Sequence, residues 1–279
     1  MNSVIHDMIL ALSFLTKIPV PAIPVPVSPA DAGPSGPGSS HEGEAAGGEG
    51  TFAMRLGRSA AWFPAIGALI GCFLVLVEFA ASHIFSATTC AVLVLIVQAG
   101  FTGGMHLDGF IDTADGLLSG RGRDRALEIM RDSRVGAMGV MAVSLLLMLK
   151  AALLAEMPRG LLYPSLLAMP MFGRWSMVYA LCFYPYARQG PGLGKPFAEH
   201  VGGREFIIAS VQAAIVALVA FGWVRGSLAG LGVFLVTAAL TARFARQIGG
   251  VTGDTCGATN EVVEVMTLAI LGAASKWLP

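Results

Sequence analysis

The chain has 279 residues, of which 55% are hydrophobic and only 13% are charged, and its mean hydropathy is +0.71. A soluble domain carries about 25% charged residues, so this composition excludes an ordinary soluble globular protein and predicts an integral membrane protein. The formal net charge is zero, which gives no support to a nucleic-acid interface. We expect one membrane-embedded domain over residues 1–279.

The N-terminal part predicts a short helix followed by a loop. Residues 8–15 are apolar but too few to cross a bilayer, which favours an interfacial helix. Residues 21–50 are rich in Pro, Gly, Ser and Ala and contain three glutamates. This composition cannot pack a core and predicts a flexible, solvated loop.

The rest of the chain predicts an all-α, polytopic membrane protein. A membrane-spanning helix needs about 20 mostly apolar residues. Seven segments approach or meet this length: 60–82, 85–102, 137–156, 161–185, 206–224, 227–242 and 261–278.

The distribution of basic residues predicts the orientation of these spans. If Arg55 and Arg58 face the cytoplasm, then the segments 103–135, 186–205 and 243–260 face it too. Together with Lys17, Arg55 and Arg58 these segments hold thirteen of the eighteen Lys and Arg residues, as the positive-inside rule requires. The same side then receives every polar, glycine-rich segment. We therefore expect the active site at the cytoplasmic face of a cell (inner) membrane.

Three aspartates follow the second span at helical spacing. Asp108, Asp112 and Asp115 are separated by four and then three residues, which places their carboxylates on one helix face. At separations near 5 Å and an effective dielectric of about 20, each pair repels by about 3 kcal/mol. On a solvated face the repulsion would be only a few tenths of a kcal/mol. Apolar neighbours favour a cleft at the membrane boundary, where Mg²⁺ would neutralise the acids.

Five arginines follow the aspartates within twenty residues, at positions 121, 123, 125, 131 and 134. Residues 124–134 are typical of a short amphipathic helix, and two interpretations stay open. In one, this is an interfacial helix with pairs between its own charges. In the other, Arg131 and Arg134 bind phosphate oxygens, and Asp132 is a fourth metal ligand.

Other ionisable residues are weaker candidates. Arg174 lies inside a predicted span, where a charge is expensive and marks a functional site; its partner is either a substrate phosphate or an internal acid. His106 has either a local hydrogen-bonding role or a catalytic one. Lys195 lies in a predicted cytoplasmic loop and is a candidate for substrate binding.

The motifs resemble those of the cobalamin synthase family, the adenosylcobinamide-GDP ribazoletransferases. The string GGMHLDGFIDTADGLLSGRGRDRALEIMRDSRVGAMG at 103–139 carries most of the resemblance. FLTKIPVP at 14–21, RSAAWFPAIGALIG at 58–71, YARQGPGLGKPF at 186–197 and GGVTGDTCGATNE at 249–261 support it. The resemblance covers nearly the whole chain.

This resemblance implies an enzyme that joins adenosylcobinamide-GDP to α-ribazole or its 5′-phosphate with Mg²⁺, and releases GMP. It implies that the three aspartates hold the metal, and that Arg131, Arg134 and Arg121 bind the diphosphate. It also favours a substrate or metal role for Asp254, in a glycine-rich loop before the last span. The resemblance leaves open a homo-oligomer or an association with other corrinoid-assembly enzymes.

Three alternatives remain at this stage. DTADGLLSGR at 112–121 partly matches the CDP-alcohol phosphotransferase pattern, but its arginine is one residue out of place and the downstream acids are absent. A membrane prenyltransferase would have a second acidic motif as strong as the one at 108–115, whereas the second motif here, around Asp254, is weak. A corrinoid or ion transporter would place its acids midway along the spans, whereas here they cluster at one boundary.

Overall fold

A computed structural model describes residues 3–20, 52–188, 192 and 194–276, and this part of the chain is helical, with one isolated parallel bridge between Tyr186 and Val251. The predicted loop at 21–50 lies outside the described residues. The helices are α1 (Ser3–Leu15), α2 (Phe52–Ala81), α3 (Ala87–Thr102), α4 (Met105–Leu118), α5 (Arg123–Ile129), α6 (Ala137–Glu156), α7 (Arg159–Phe183), α8 (Lys195–His200), α9 (Gly203–Ile248) and α10 (Gly253–Ala274).

Helix lengths confirm a multi-pass, all-α membrane protein. Among the described residues, five helices are long and apolar enough to cross a bilayer: α2, α6, α7, α9 and α10. A sixth span results if α3 and α4, which meet at an angle of 93°, count as one broken span. The number of crossings and the side that faces the cytoplasm stay predictions.

Helix α9 is a hairpin of two arms. Gly222 interrupts it with φ 71° and ψ 179°, a conformation that only glycine adopts readily. A Cβ built on Gly226 would lie 2.7 Å from the Ala217 carbonyl oxygen, so the two arms turn back against each other. The predicted spans 206–224 and 227–242 therefore lie on the two arms of one hairpin.

The centre of the bundle is α7, which packs against α2, α9 and α10. Gly67 and Gly71 on α2 face the α7 backbone, where added Cβ atoms would lie 2.4 Å from the Pro170 oxygen and 2.6 Å from the Leu167 Cα. Only residues without a side chain permit so close an approach of the two backbones, which is the packing role expected of small residues in membrane helices.

Two local features position the polar segments at one end of the bundle. Gly103 and Gly104 adopt left-handed φ angles of 62° and 71°, which end α3 and redirect the chain into α4. At the start of α10, the Ala187 N–H donates to the Val251 oxygen at 2.8 Å, and the Val251 N–H donates to the Pro185 oxygen at 2.9 Å. These bonds hold the segment after α7 beside the first turn of α10.

Candidate active site

Helix α4 carries the three predicted aspartates, and its two faces differ in burial. His106, Gly109 and Thr113 are buried against the bundle, whereas Asp108 is exposed and Asp112 is partly buried. The predicted helical spacing is therefore confirmed, with the carboxylates directed away from the apolar core.

Helix α10 brings a fourth carboxylate to this face. A Cβ on Gly109 would lie 3.0 Å from the Asp254 Cα, so α4 and the first turn of α10 are in direct backbone contact. Asp254 is thereby held within electrostatic range of both Asp108 and Asp112. The structure thus brings together residues that are more than 140 positions apart in the sequence.

Arg188 is the cation of this group, and it is not among the site residues predicted from the sequence. Its Nη2 donates to Asp254 Oδ2 and, at 3.2 Å, to the Met130 carbonyl oxygen at the end of α5. The signal available in the sequence was its position in the YARQGPGLGKPF motif. We call Asp108, Asp112, Asp254 and Arg188 the acidic site; three carboxylates share one guanidinium there.

Asp115 has different partners from the other aspartates. Its Oδ2 accepts the Gly136 N–H and its Oδ1 accepts the Gly139 N–H, both at 2.7 Å. These amides belong to the first turn of α6, where a carboxylate is stabilised by free N–H groups and by the helix dipole. Both oxygens of Asp115 thus hold α6 against α4.

The arginines predicted to bind phosphate are exposed residues of the segment that follows α4. Arg121 and Arg131 are exposed in the segments before and after α5. Arg134 forms a forked pair with Asp132, with Nε to Oδ1 at 3.0 Å and Nη2 to Oδ2 at 2.6 Å. These hydrogen bonds lower the pKa of Asp132 to about 2. Lys195 pairs with Glu199 at 3.8 Å on α8.

Behind α4 lies a second group of polar side chains, all of them buried. We call it the buried network, and its members are Gln98, His106, Lys150, Arg174, Asn260, Glu261 and Glu264. Glu264 accepts hydrogen bonds from Lys150 and Arg174, and from the Gln98 amide at 2.6 Å. Lys150 also donates to Glu261 at 3.0 Å. The network joins α3, α4, α6, α7 and α10.

This network decides between the two partners predicted for Arg174. Its side chain is completely buried and pairs with Glu264, so the partner present is the internal acid and not a substrate phosphate. His106 also belongs here, since its Nδ1 lies 3.4 Å from Arg174 Nη2. Two cations and two carboxylates balance within the network, which is how charges persist inside a membrane bundle.

The aspartates differ in whether their oxygens are available to bind a metal ion. Among the described residues, no three His, Cys, Asp or Glu side chains form a group that could hold one. Asp115 and Asp132 use their oxygens on backbone amides and on Arg134, and Asp254 is bound by Arg188. No side-chain hydrogen bond or ion pair joins the carboxylate of Asp108 or Asp112 to another residue in the described ranges. Mg²⁺ usually takes one or two carboxylates together with substrate phosphates, and this donor set fits that mode.

Comparison with known proteins identifies the family of this chain. The family model described as cobalamin-5-phosphate synthase matches residues 7–272. The chain belongs to this family. The match runs from within α1 to the last turn of α10, and so includes every element that contributes to the acidic site and the buried network. It favours the transferase over the phosphotransferase, prenyltransferase and transporter alternatives.

Relatives of this chain have a common description. A protein of Roseiflexus sp. (strain RS-1), named adenosylcobinamide-GDP ribazoletransferase, is 43% identical over 77% of this chain and 79% of its own length. A protein of the same name from Desulforamulus reducens is 39% identical over 80% of this chain and 90% of its own length. Another from Brevibacillus brevis is 33% identical over the full length of both chains. No solved structure matches this chain.

Proposed function

We propose that this protein is a Mg²⁺-dependent adenosylcobinamide-GDP ribazoletransferase in a late step of cobalamin biosynthesis. The observation that carries the proposal is the acidic site, where Asp254 of α10 lies within electrostatic range of Asp108 and Asp112 of α4 and pairs with Arg188. Family membership and the names of the relatives supply the substrates.

The reaction is a phosphoryl-type transfer between two large partners. A ribose hydroxyl of α-ribazole, or of its 5′-phosphate, attacks the phosphorus attached to cobinamide. The new P–O bond forms as the bond from that phosphorus to the GMP oxygen breaks, and the hydroxyl proton passes to a carboxylate of the acidic site. The products are adenosylcobalamin, or its 5′-phosphate, and GMP. Catalysis of this kind rests on positioning and on charge stabilisation.

Asp108 and Asp112 are the residues that we expect to hold the metal, because their oxygens have no other partner among the described residues. When bound, Mg²⁺ would neutralise the diphosphate and stabilise the charge on the departing GMP. Asp254 is held by Arg188 and orients the acceptor hydroxyl. Asp115 keeps α6 in place and Asp132 pairs with Arg134, so we place both outside the ligand set.

The arginines around the acids supply the positive charge for the diphosphate. Arg188 belongs to the acidic site, and Arg121 and Arg131 are exposed in the segment that follows α4. Arg134 can exchange its carboxylate partner for a phosphate, since the guanidinium fork fits both. We place this side of the bundle at the cytoplasmic face of the inner membrane, where the excess of Lys and Arg in these segments is expected.

A turnover assay in lipid nanodiscs tests the proposal. GMP release from adenosylcobinamide-GDP and α-ribazole is measured with Mg²⁺, with EDTA, and after Mg²⁺ is restored. We expect activity only with the metal, and a loss of about 10³-fold in Asp112→Asn, since the lost charge stabilisation amounts to several kcal/mol.

The matched control is Asp124→Asn, an exposed acid in the first turn of α5. It removes the same charge from the same side of the protein without touching the acidic site, and should turn over within about twofold of the wild type. Equal rates in EDTA and in Mg²⁺, or full activity in Asp112→Asn, would refute the assignment.

A further inference from the structure

A small cavity adjoins the acidic site, and its walls are mostly apolar. Its volume is about 160 Å³. Phe14 of α1, Phe63 of α2 and Phe197 of α8 line it, together with Asp108 and Asp254. Two carboxylates of the acidic site therefore border a mostly apolar space.

The three phenylalanines form one aromatic cluster. The Phe14 and Phe63 rings lie 5.9 Å apart and are nearly parallel, at 11°. Phe197 lies 4.5 Å from Phe14 and 5.5 Å from Phe63. Phe63 and Phe197 are fully buried, so the cluster is a rigid wall on which a flat ring could stack.

A polar group at the wall has no partner. The His106 Nδ1 lies 3.4 Å from Arg174 Nη2, and a guanidinium only donates hydrogen bonds. In a neutral ring Nδ1 must then accept, which assigns the proton to Nε2. That Nε2 is buried and makes no hydrogen bond within the described part of the chain, and His106 lines the cavity. A ligand with a ring nitrogen acceptor would satisfy it.

Asp108 also lines a second, larger space. This cleft has a volume of about 690 Å³ and is bounded by Lys17, Gly103 and Gly104. Phe14, Met105 and Asp108 are common to both spaces. The two spaces thus meet at one of the proposed metal-binding carboxylates, as an enzyme that joins two substrates requires.

We propose that the small cavity binds the base of the acceptor nucleoside, a flat and largely apolar benzimidazole-type heterocycle. The base stacks on the phenylalanine cluster, its ring nitrogen accepts from His106 Nε2, and its ribose projects toward Asp108 and Asp254. This inference rests on the proposed function. The donor then occupies the larger cleft, with its diphosphate beside the same carboxylates.

The dimensions and chemistry of the cavity select this class of base. An apolar protein cavity of about 150 Å³ takes a benzene-sized ring, so this cavity of about 160 Å³ accommodates the benzo ring of the base. A purine of similar outline carries exocyclic amino and carbonyl groups, which would lose their hydrogen bonds against phenylalanine and methionine walls. The cavity therefore discriminates by polarity, and purine nucleosides should bind it more weakly than benzimidazole nucleosides.

Substitution of Phe14 tests the proposal, because this residue is only partly buried and belongs to the short α1. Phe14→Leu removes the stacking surface and should raise the KM for α-ribazole about 10-fold while the KM for the nucleotide donor stays within twofold. Phe73→Leu is the matched control, since Phe73 is exposed on α2 and stacks only with Phe101 among the described rings. It should leave both KM values unchanged.

A second test measures a ratio of two kcat/KM values, which does not depend on the amount of folded protein. Phe14→Ala enlarges the cavity, so the ratio of kcat/KM for a naphthimidazole nucleoside to that for α-ribazole should rise about 10-fold. An unchanged ratio, together with an unchanged KM for α-ribazole in Phe14→Leu, would overturn the inference.

A direct binding measurement separates this inference from the proposed function. Saturable binding of radiolabelled α-ribazole to nanodisc protein is measured without any donor, with benzimidazole and adenosine as competitors. Displacement by benzimidazole but not by adenosine, weakened in Phe14→Leu, supports the cavity even if the wild type fails to release GMP. Wild-type turnover with no effect of Phe14→Leu on binding or KM would refute the cavity and leave the proposed function intact.

Discussion

The acidic site and the buried network differ in whether each carboxylate is balanced by a neighbouring cation. In the buried network, Glu261 and Glu264 are matched by Lys150 and Arg174, and each charge has a partner at hydrogen-bonding distance. In the acidic site, Asp108 and Asp112 have none within the described residues. Carboxylates that are balanced internally hold helices together, whereas carboxylates left in excess are the ones that can take a cation from outside.

The two regions share α4 and α10, which explains how one can position the other. Asp254 and Glu264 are both on α10, and His106 and Asp108 are both on α4. A network that fixes these two helices at their buried faces therefore fixes the distance between Asp108 and Asp254 at the other end. We expect the network to act on activity through stability and position rather than by contact with substrate.

The largest effect on stability is expected from breaking the buried network at its centre. Glu264→Gln leaves Lys150 and Arg174 with only Glu261 as a compensating charge, and should lower the free energy of unfolding by about 3–5 kcal/mol. Thermal unfolding of nanodisc or detergent-purified protein, followed by tryptophan fluorescence, measures this. Asp112→Asn provides the contrast: it removes a charge from the acidic site and should not lower the melting temperature.

A smaller effect is expected when one complete ion pair is removed. The double variant Lys150→Met with Glu261→Gln keeps the network neutral and leaves Arg174 paired with Glu264. Because a buried pair and an apolar replacement of similar volume are often nearly equal in stability, we expect a loss of at most about 2 kcal/mol. A double variant as unstable as Glu264→Gln would show that packing, and not charge balance, governs this region.

The smallest effect is expected at Asp132, which the sequence offered as a fourth metal ligand. Its pKa lies at about 2 in the folded protein, below the ordinary value of 3.8, because Arg134 binds its charged form. Any stability from this pair is therefore complete above pH 3.8 and is lost as the pH falls toward 2. Asp132→Asn should change turnover less than about twofold between pH 5 and pH 8. A loss of turnover as large as that of Asp112→Asn would instead show that Asp132 is a metal ligand.

The sequence predicted the site's helix but not its partners. Spacing alone placed three carboxylates on one face of α4, and hydropathy located the two arms of the α9 hairpin. Spacing could not show that Asp115 turns to the first amides of α6, because that contact depends on where the chain returns after α5. It could not show the association of Arg188 with Asp254 either, since this depends on the bridge between Tyr186 and Val251.

Arg174 also shows that the sequence does not predict which distant residue a side chain pairs with. A charge inside an apolar span indicates a special environment, and the sequence therefore marked this residue as a functional candidate and left two partners open. The choice between them needed the position of Glu264, which is 90 residues away on another helix. Long-range pairing in a helical bundle is set by which faces pack together, and periodicity within one helix carries no information about that.

We propose that the acidic site binds its metal ion together with a diphosphate. Mn²⁺, a spectroscopic substitute for Mg²⁺, can be titrated into nanodisc protein by electron paramagnetic resonance, with and without GDP, in the wild type, Asp112→Asn and Asp132→Asn. We expect GDP to tighten Mn²⁺ binding in the wild type and in Asp132→Asn, and we expect Asp112→Asn to lose this effect. If, in the presence of GDP, Asp112→Asn binds Mn²⁺ as tightly as the wild type does, Asp112 is not a metal ligand.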